Sequence, residues 1–123
     1  MRRLALLLLA SSFLAGCLNG GSYPQTYARA ACASLFECVN NDEIDTWLNY
    51  DDVDDCESDV QSSIEDSADY DAWEEGDLEF NVDNADACID EAAEIRNDSD
   101  CGSMNALTFL VDASTEECGE VYE

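Results

Sequence analysis

Apolar residues recur at helical spacing in three separate stretches of the 123-residue chain. In the first, Tyr27, Ala31, Leu35 and Cys38 repeat three to four positions apart, joined by Cys32, Phe36 and Val39. That spacing predicts an amphipathic helix. Pro24 suits its first turn, with Ser22 or Tyr23 before it, and Asn40-Asn41 ends it. In the second stretch Val53, Cys56, Val60 and Ile64 fall at i, i+3, i+7 and i+11, one apolar stripe on an acidic cylinder. Asp51 or Asp52 suits its N-cap, and the helix should fade near Ser67. In the third, Ala85, Cys88, Ile89, Ala92 and Ile95 follow Asn81 as candidate N-cap, and Asp83 meets the positive end of the dipole. Asn97-Asp98-Ser99-Asp100 breaks this helix, and Gly102 follows Cys101. Between these stretches the pattern is weaker. Residues 42–50 hold Ile44, Trp47 and Leu48 and fit one helical turn or an ordered loop. Residues 70–73 fit a turn of helix, and 78–80 alternate like a short extended piece. Residues 106–111 are too few for periodicity to choose helix or strand. Cys118 pins a last short segment that fits a helix from Thr115. The pattern therefore predicts an all-α (mostly α) fold, a small three-helix bundle.

The start of the chain reads differently. Arg2 and Arg3 precede an apolar run over residues 4–9, and small residues lead to Cys17. This is the layout of a secretory signal, with an apolar stretch too short to span a membrane. Leu14-Ala15-Gly16-Cys17 resembles the bacterial lipobox, after which the cysteine is diacylated and becomes the first residue. The residues around Arg2-Arg3 do not support a twin-arginine route. We expect a lipoprotein signal peptide over 1–16, lipidated Cys17 with a short flexible tether over 17–22, and an acidic six-cysteine domain over 23–123. Paired acyl chains would hold it stably to a membrane. Leu18 is not Asp, the common inner-membrane retention signal, which favours the outer membrane. The expected location is the bacterial cell envelope, facing the periplasm or the surface.

Cysteine usage fits that compartment. Apart from Cys17 there are Cys32, Cys38, Cys56, Cys88, Cys101 and Cys118, an even number in an exported chain, which predicts three disulfides. No C-x-x-C motif and no His occur, which argues against zinc. On one helix Cys32 and Cys38 would lie about 9 Å apart along the axis, beyond the roughly 7 Å that a bridge spans. They should bond to different partners. We expect Cys38–Cys56, Cys32–Cys88 and Cys101–Cys118. Each bridge stabilises by about 2–4 kcal/mol, and a small charged body needs that support.

Charge excludes several functions. The chain holds 30 Asp and Glu against 4 Arg and Lys, for a formal net charge of −26. After 1–16 only Arg29 and Arg96 are basic. Such a chain does not bind nucleic acid through phosphate neutralisation, nor anionic lipid through a basic patch. Without His it has no Ser-His-Asp triad and no Cys-His pair. Asp51, Asp52, Asp54 and Asp55 cluster, as do Glu74, Glu75 and Asp77. Two frames approach a calcium loop, from Asp54 and from Asn97, but neither has both the central Gly and the final Glu. No metal site, cofactor or catalytic residue is expected. Trp47, Trp73, Tyr50 and Tyr70 are expected in core and bridge packing rather than on a ligand surface. The acidity itself has two readings: adaptation to high external salt, which screens self-repulsion, or a surface made for a basic partner.

The cysteine layout is similar to that of uncharacterised six-cysteine small helical lipoproteins of the myxobacterial type. The residues that carry the likeness are Ala31-Cys32 and Cys38 in the first helix, Cys56 in the next, then Glu75-Gly76, Leu78, Phe80 and Asn81. Ala87-Cys88-Ile89-Asp90 follows, and Cys101 and Cys118 close the domain. Val82 stands where that family usually has Pro. The resemblance spans roughly 27–122. It implies a secreted or lipid-anchored helical domain and carries over no activity. The expectation is a non-enzymatic envelope lipoprotein with a structural or interaction role. Its partner would be the membrane through Cys17, and an unidentified protein besides. The alternative is a module that binds calcium or a basic partner.

Overall fold

A computed structural model describes residues 18–123. Among them the chain is mostly helical and has no strands. The three longest helices are those that the periodicity predicts: α1 (Tyr23–Cys38), α3 (Val53–Glu65) and α5 (Val82–Glu94). Shorter ones fill the gaps: α2 (Asn41–Leu48), α4 (Ala68–Glu74), α6 (Ala106–Ala113) and α7 (Glu116–Gly119), with a 3-10 turn over Ile95–Asn97. Side-chain oxygens at the N-caps start most of them. Asn40, Asp52, Ser67, Asn81 and Asn105 each accept a backbone N–H from the first turn that follows. These satisfy donors that a helix start leaves open.

Helix α1 is the central element, with α3 and α5 packed along it. Many buried residues on the two helices are small: Ala28, Ala31 and Ser34 on α1, and Ala85, Cys88 and Ala92 on α5. The Ser34 hydroxyl donates to the Ala92 carbonyl at 2.6 Å. Small side chains let the backbones approach closely enough for that bond.

Two apolar clusters lie at the two ends of α1. One gathers Cys32, Leu35, Cys38, Val39, Ile44, Cys56, Ile95, Met104 and Phe109. The other gathers Tyr23, Tyr70, Cys88, Val121 and Tyr122, with Trp73 and Phe80 against them. Tyr122 organises the second. Tyr23 and Tyr70 meet it edge-on at 6.0 and 5.6 Å, and Trp73 and Phe80 lie tilted at 5.7 and 5.9 Å. The chain end is laced to 79–81 by backbone bonds: Glu79 and Glu123 exchange two, at 2.8 and 2.9 Å, and the Asn81 N–H donates to Val121 at 2.7 Å.

The disulfides join Cys32–Cys56, Cys38–Cys101 and Cys88–Cys118, with Cα separations of 5.9, 4.3 and 5.0 Å. Cys32 and Cys38 do take different partners, but none of the expected pairs Cys38–Cys56, Cys32–Cys88 and Cys101–Cys118 forms. The reason lies in which cluster each sulfur joins. Cys88 lies in the aromatic cluster, its Sγ 3.2 Å from the Tyr23 hydroxyl. Cys32 lies in the other cluster and turns to Cys56 on α3. Cys38 ends α1, where the 101–104 turn folds over it: the Gly102 N–H donates to the Cys38 carbonyl at 3.0 Å, and Val39 bridges Met104. Gly102 takes a positive φ of 97° there, which favours glycine.

Residues 18–22 also differ from expectation, since they are not a free tether. Leu18 packs against the aromatic cluster. The Gly20 carbonyl accepts the Tyr122 hydroxyl at 2.7 Å, and a methyl group added at Gly20 would overlap the Trp73 indole. The segment is fixed because glycine lets its backbone lie under a ring. Cys17 itself lies outside the described residues.

Non-reducing peptide mapping of the protein should recover Cys32–Cys56, Cys38–Cys101 and Cys88–Cys118 as the linked pairs; any fragment joining Cys88 to Cys32 would contradict their division between the two clusters. A second prediction concerns pH. Burial pushes the phenols of Tyr23, Tyr27 and Tyr122 above the usual 10.0. Folding thus favours their neutral forms. That contribution is complete below pH 10.0 and is lost as pH climbs through the raised values. In an alkaline titration, part of the tyrosinate absorbance should lag behind free tyrosine and develop together with loss of helical circular dichroism.

Candidate functional site

The cysteines offer no chemistry beyond cross-linking in the described chain. Cys32, Cys38, Cys56, Cys88, Cys101 and Cys118 are all bonded to one another, which leaves no thiolate among them for nucleophilic attack or metal ligation.

Many carboxylates have structural roles. Asp52 caps α3 by accepting the Asp55 N–H at 2.9 Å, and Asp55 accepts the Asp51 N–H at 3.2 Å. The 51–55 cluster is therefore a helix start. Acids also occupy the first turns of α2, α4, α5 and α7, where they meet the positive ends of the helix dipoles. Glu74, Glu75 and Asp77 are exposed around the Gly76 turn. Among the described residues no three Asp, Glu or Cys side chains come together as a metal-ion site. The two near-calcium frames fall mainly on other structure: from Asp54 it runs within α3, and from Asn97 it starts at the last residue of the 3-10 turn and ends in α6.

The aromatic residues divide. Tyr70 and Trp73 join the aromatic cluster as expected. Tyr50 packs against the other cluster and donates its hydroxyl to Asp59 Oδ2 at 2.6 Å. Its phenol is pushed up, by burial first and by that hydrogen bond next. Trp47 corrects the expectation: it is 74% exposed and belongs to no core. The reason is its place at the margin of the buried face. Over α2, Ile44 is buried and Leu48 packs on the same cluster, whereas Trp47 lies about 60° to the other side of Ile44 and opens onto solvent.

Trp47 lies beside other apolar side chains that reach solvent. Leu107 is 72% exposed, Val111 65% and Leu110 46%. Helix α6 buries Ala106, Phe109 and Ala113 and turns Leu107, Leu110 and Val111 outward. Between α2 and α6 is a cleft of about 510 Å³ lined by Glu43, Trp47, Leu48, Asn105, Ala106, Leu107 and Leu110. Glu43 fastens its two walls together, since its Oε1 accepts the Ala106 N–H at 2.7 Å and so caps α6 from a neighbouring helix. On the far flank of α6, Asp112 joins Glu91, Glu94 and Asp98 around a shallow acidic depression. The cleft is thus mainly apolar, with Glu43 as the one acid in its lining. Sequence reasoning missed it because periodicity does not place so short a run as 106–111 on a helix or a strand, which leaves its outward face unread. The signal present was its width: Leu107, Leu110 and Val111 exceed what one buried face of a short helix can use.

No described helix is long and apolar enough to cross a membrane. The three disulfides are consistent with a compartment outside the cytoplasm.

Replacing Trp47 by Ala should change stability by no more than about 0.5 kcal/mol in urea denaturation, as at other exposed positions. Ile44→Ala, fully buried a turn away, should cost about 2–5 kcal/mol. Comparison of the chain with family models, curated proteins and solved structures finds no match.

Proposed function

We propose that the chain is a non-catalytic lipoprotein of the bacterial cell envelope. Its acylated Cys17 would hold an acidic, disulfide-bonded helical domain at a membrane surface, with the outer membrane as the favoured site, for a structural or interaction role. The observation that carries this reading is the order of features at the start of the sequence: Arg2-Arg3, an apolar run, then Leu14-Ala15-Gly16-Cys17. The three disulfides support it, because such bonds persist in oxidising compartments. So does the likeness of the cysteine layout to small six-cysteine lipoproteins of the myxobacterial type.

The fixed 18–22 segment gives the reading a physical consequence. With Leu18 packed on the aromatic cluster, a lipid on the preceding residue would leave almost no spacer. The domain would rest against the headgroups, with the Tyr122 end of α1 nearest to them.

A second reading, a module for a basic partner, is favoured by the exposed apolar cleft between α2 and α6 on a chain of net charge −26. Its calcium form has no converging carboxylate set among the described residues to support it.

Intact-mass analysis of protein from membranes tests the anchor. The expected mass is that of a chain beginning at Cys17 with a diacylglyceryl group and an added acyl chain. Cys17→Ser should move the protein from the membrane to the aqueous fraction. An unmodified Cys17 thiol in membrane-extracted protein would contradict the reading.

A further inference from the structure

We infer that a hollow between the start of α1, the α3–α4 corner and residues 118–122 binds a quaternary ammonium group. The inference does not depend on the lipid anchor. The hollow holds about 240 Å³. That is below the roughly 300–1,000 Å³ of pockets for drug-sized ligands and suits one small head group. Tyr23, Val121 and Tyr122 in its lining are buried and form its inner wall, whereas Ser63, Asp69 and Gly119 are exposed and form its mouth. The two tyrosines give the wall ring surface, because their hydroxyls are engaged elsewhere. The Tyr122 hydroxyl donates to the Gly20 carbonyl at 2.7 Å, and the Tyr23 hydroxyl lies 3.2 Å from Cys88 Sγ. Neither Gly20 nor Cys88 lines the hollow.

Charge then selects the ligand. Aromatic rings attract cations through the negative charge of their faces. Asp69 is the one carboxylate in the lining, and among the described residues no hydrogen bond engages its side chain. No Lys or Arg lines the hollow, so an anion finds no partner there. The kind of cation follows from the acceptors. Calcium takes about six to eight oxygens, and no such carboxylate set converges among the described residues. A primary ammonium brings N–H donors that need acceptors. The Ser67 hydroxyl already donates to the Ile64 carbonyl at 2.7 Å and accepts the Tyr70 N–H at 3.2 Å. That leaves Ser63 and Asp69, both at the mouth, so an ammonium seated on the inner wall would keep N–H groups unpaired. A quaternary ammonium has no N–H to satisfy. Its methyl groups lie on the ring wall, and its charge meets Asp69 from the mouth. Such a group comes from a lipid headgroup or from a free methylated solute, and the experiment separates the two.

The test titrates choline, at fixed ionic strength, into the full chain with isotope-labelled tyrosines in maltoside micelles. The Tyr23 and Tyr122 ring resonances are the readout. Saturable shifts are expected, and the neutral analogue of choline, in which carbon replaces nitrogen, should bind about tenfold more weakly. Asp69→Asn, at an exposed position, should weaken choline about threefold. Glu75→Gln removes the same charge from an exposed site outside the hollow and should leave the affinity unchanged. Phosphatidylcholine nanodiscs that reproduce the ring shifts, where phosphatidylglycerol discs do not, would uphold the site with a lipid headgroup as its ligand. Shifts with choline and none on either disc would uphold it with a free solute. Equal affinity for choline and its neutral analogue would overturn the proposal in favour of a merely apolar hollow. Equal effects of Asp69→Asn and Glu75→Gln would overturn it in favour of diffuse charge attraction. So would the absence of any saturable shift in protein whose helical circular dichroism is intact.

Discussion

Like charges crowd this domain, and covalent cross-links oppose them. Thirty carboxylates share a surface with Arg29 and Arg96, both exposed. In dilute salt their mutual repulsion favours an expanded chain. The apolar material available to resist it is small and split between two ends of α1. The disulfides reinforce those clusters from within, since Cys32, Cys38, Cys56 and Cys88 are all fully buried there. The bridges close spans of 24, 63 and 30 residues, each worth about 3–4 kcal/mol by restricting the unfolded chain. Two of them lie in one cluster and the third in the other, so each end of the central helix is tied to a different part of the sequence.

That arrangement explains how the surface can be given over to acid and still carry an apolar cleft. Carboxylates at helix starts contribute through dipoles and caps, as Asp52 and Asp55 do on α3. Glu43 goes further and caps a second helix, α6. The cleft walls are thereby set by a hydrogen bond and by the buried faces of Ile44 and Phe109. The exposed faces of Trp47, Leu107 and Leu110 have no part in holding the fold, which leaves them available for a partner.

The helices were legible where a stripe and a cap coincided. Asn81 before Ala85, Cys88 and Ala92 located α5, and Asp52 before Cys56 located α3. Sequence spacing also excluded a bridge between Cys32 and Cys38, because that depends only on helix rise. The pairing itself was not legible. It depends on Cys88 joining the aromatic cluster while Cys32 faces α3, and on the Gly102 turn covering Cys38, which are facts of tertiary stacking. The same holds for the chain end. Val121 and Tyr122 belong to no periodic stretch, yet they complete the aromatic cluster through backbone pairing with residues 79–81. Residues 18–22 read as a linker by composition, and only the Trp73 ring over Gly20 shows why glycine stands there. Trp47 departs from the expectation because aromatic residues in a small domain usually go inside, whereas this one lies at the margin of the buried face of α2.

Helical circular dichroism followed through thermal melts of the oxidised and fully reduced protein, each in dilute buffer and in molar NaCl, tests the balance between cross-links and charge most directly. The reduced protein should lose its cooperative transition in dilute buffer and regain part of it in molar salt, where the Debye length falls from about 10 Å at 0.1 M to about 3 Å. A reduced protein that melts at the same temperature as the oxidised one, in either buffer, would show that packing alone holds the domain.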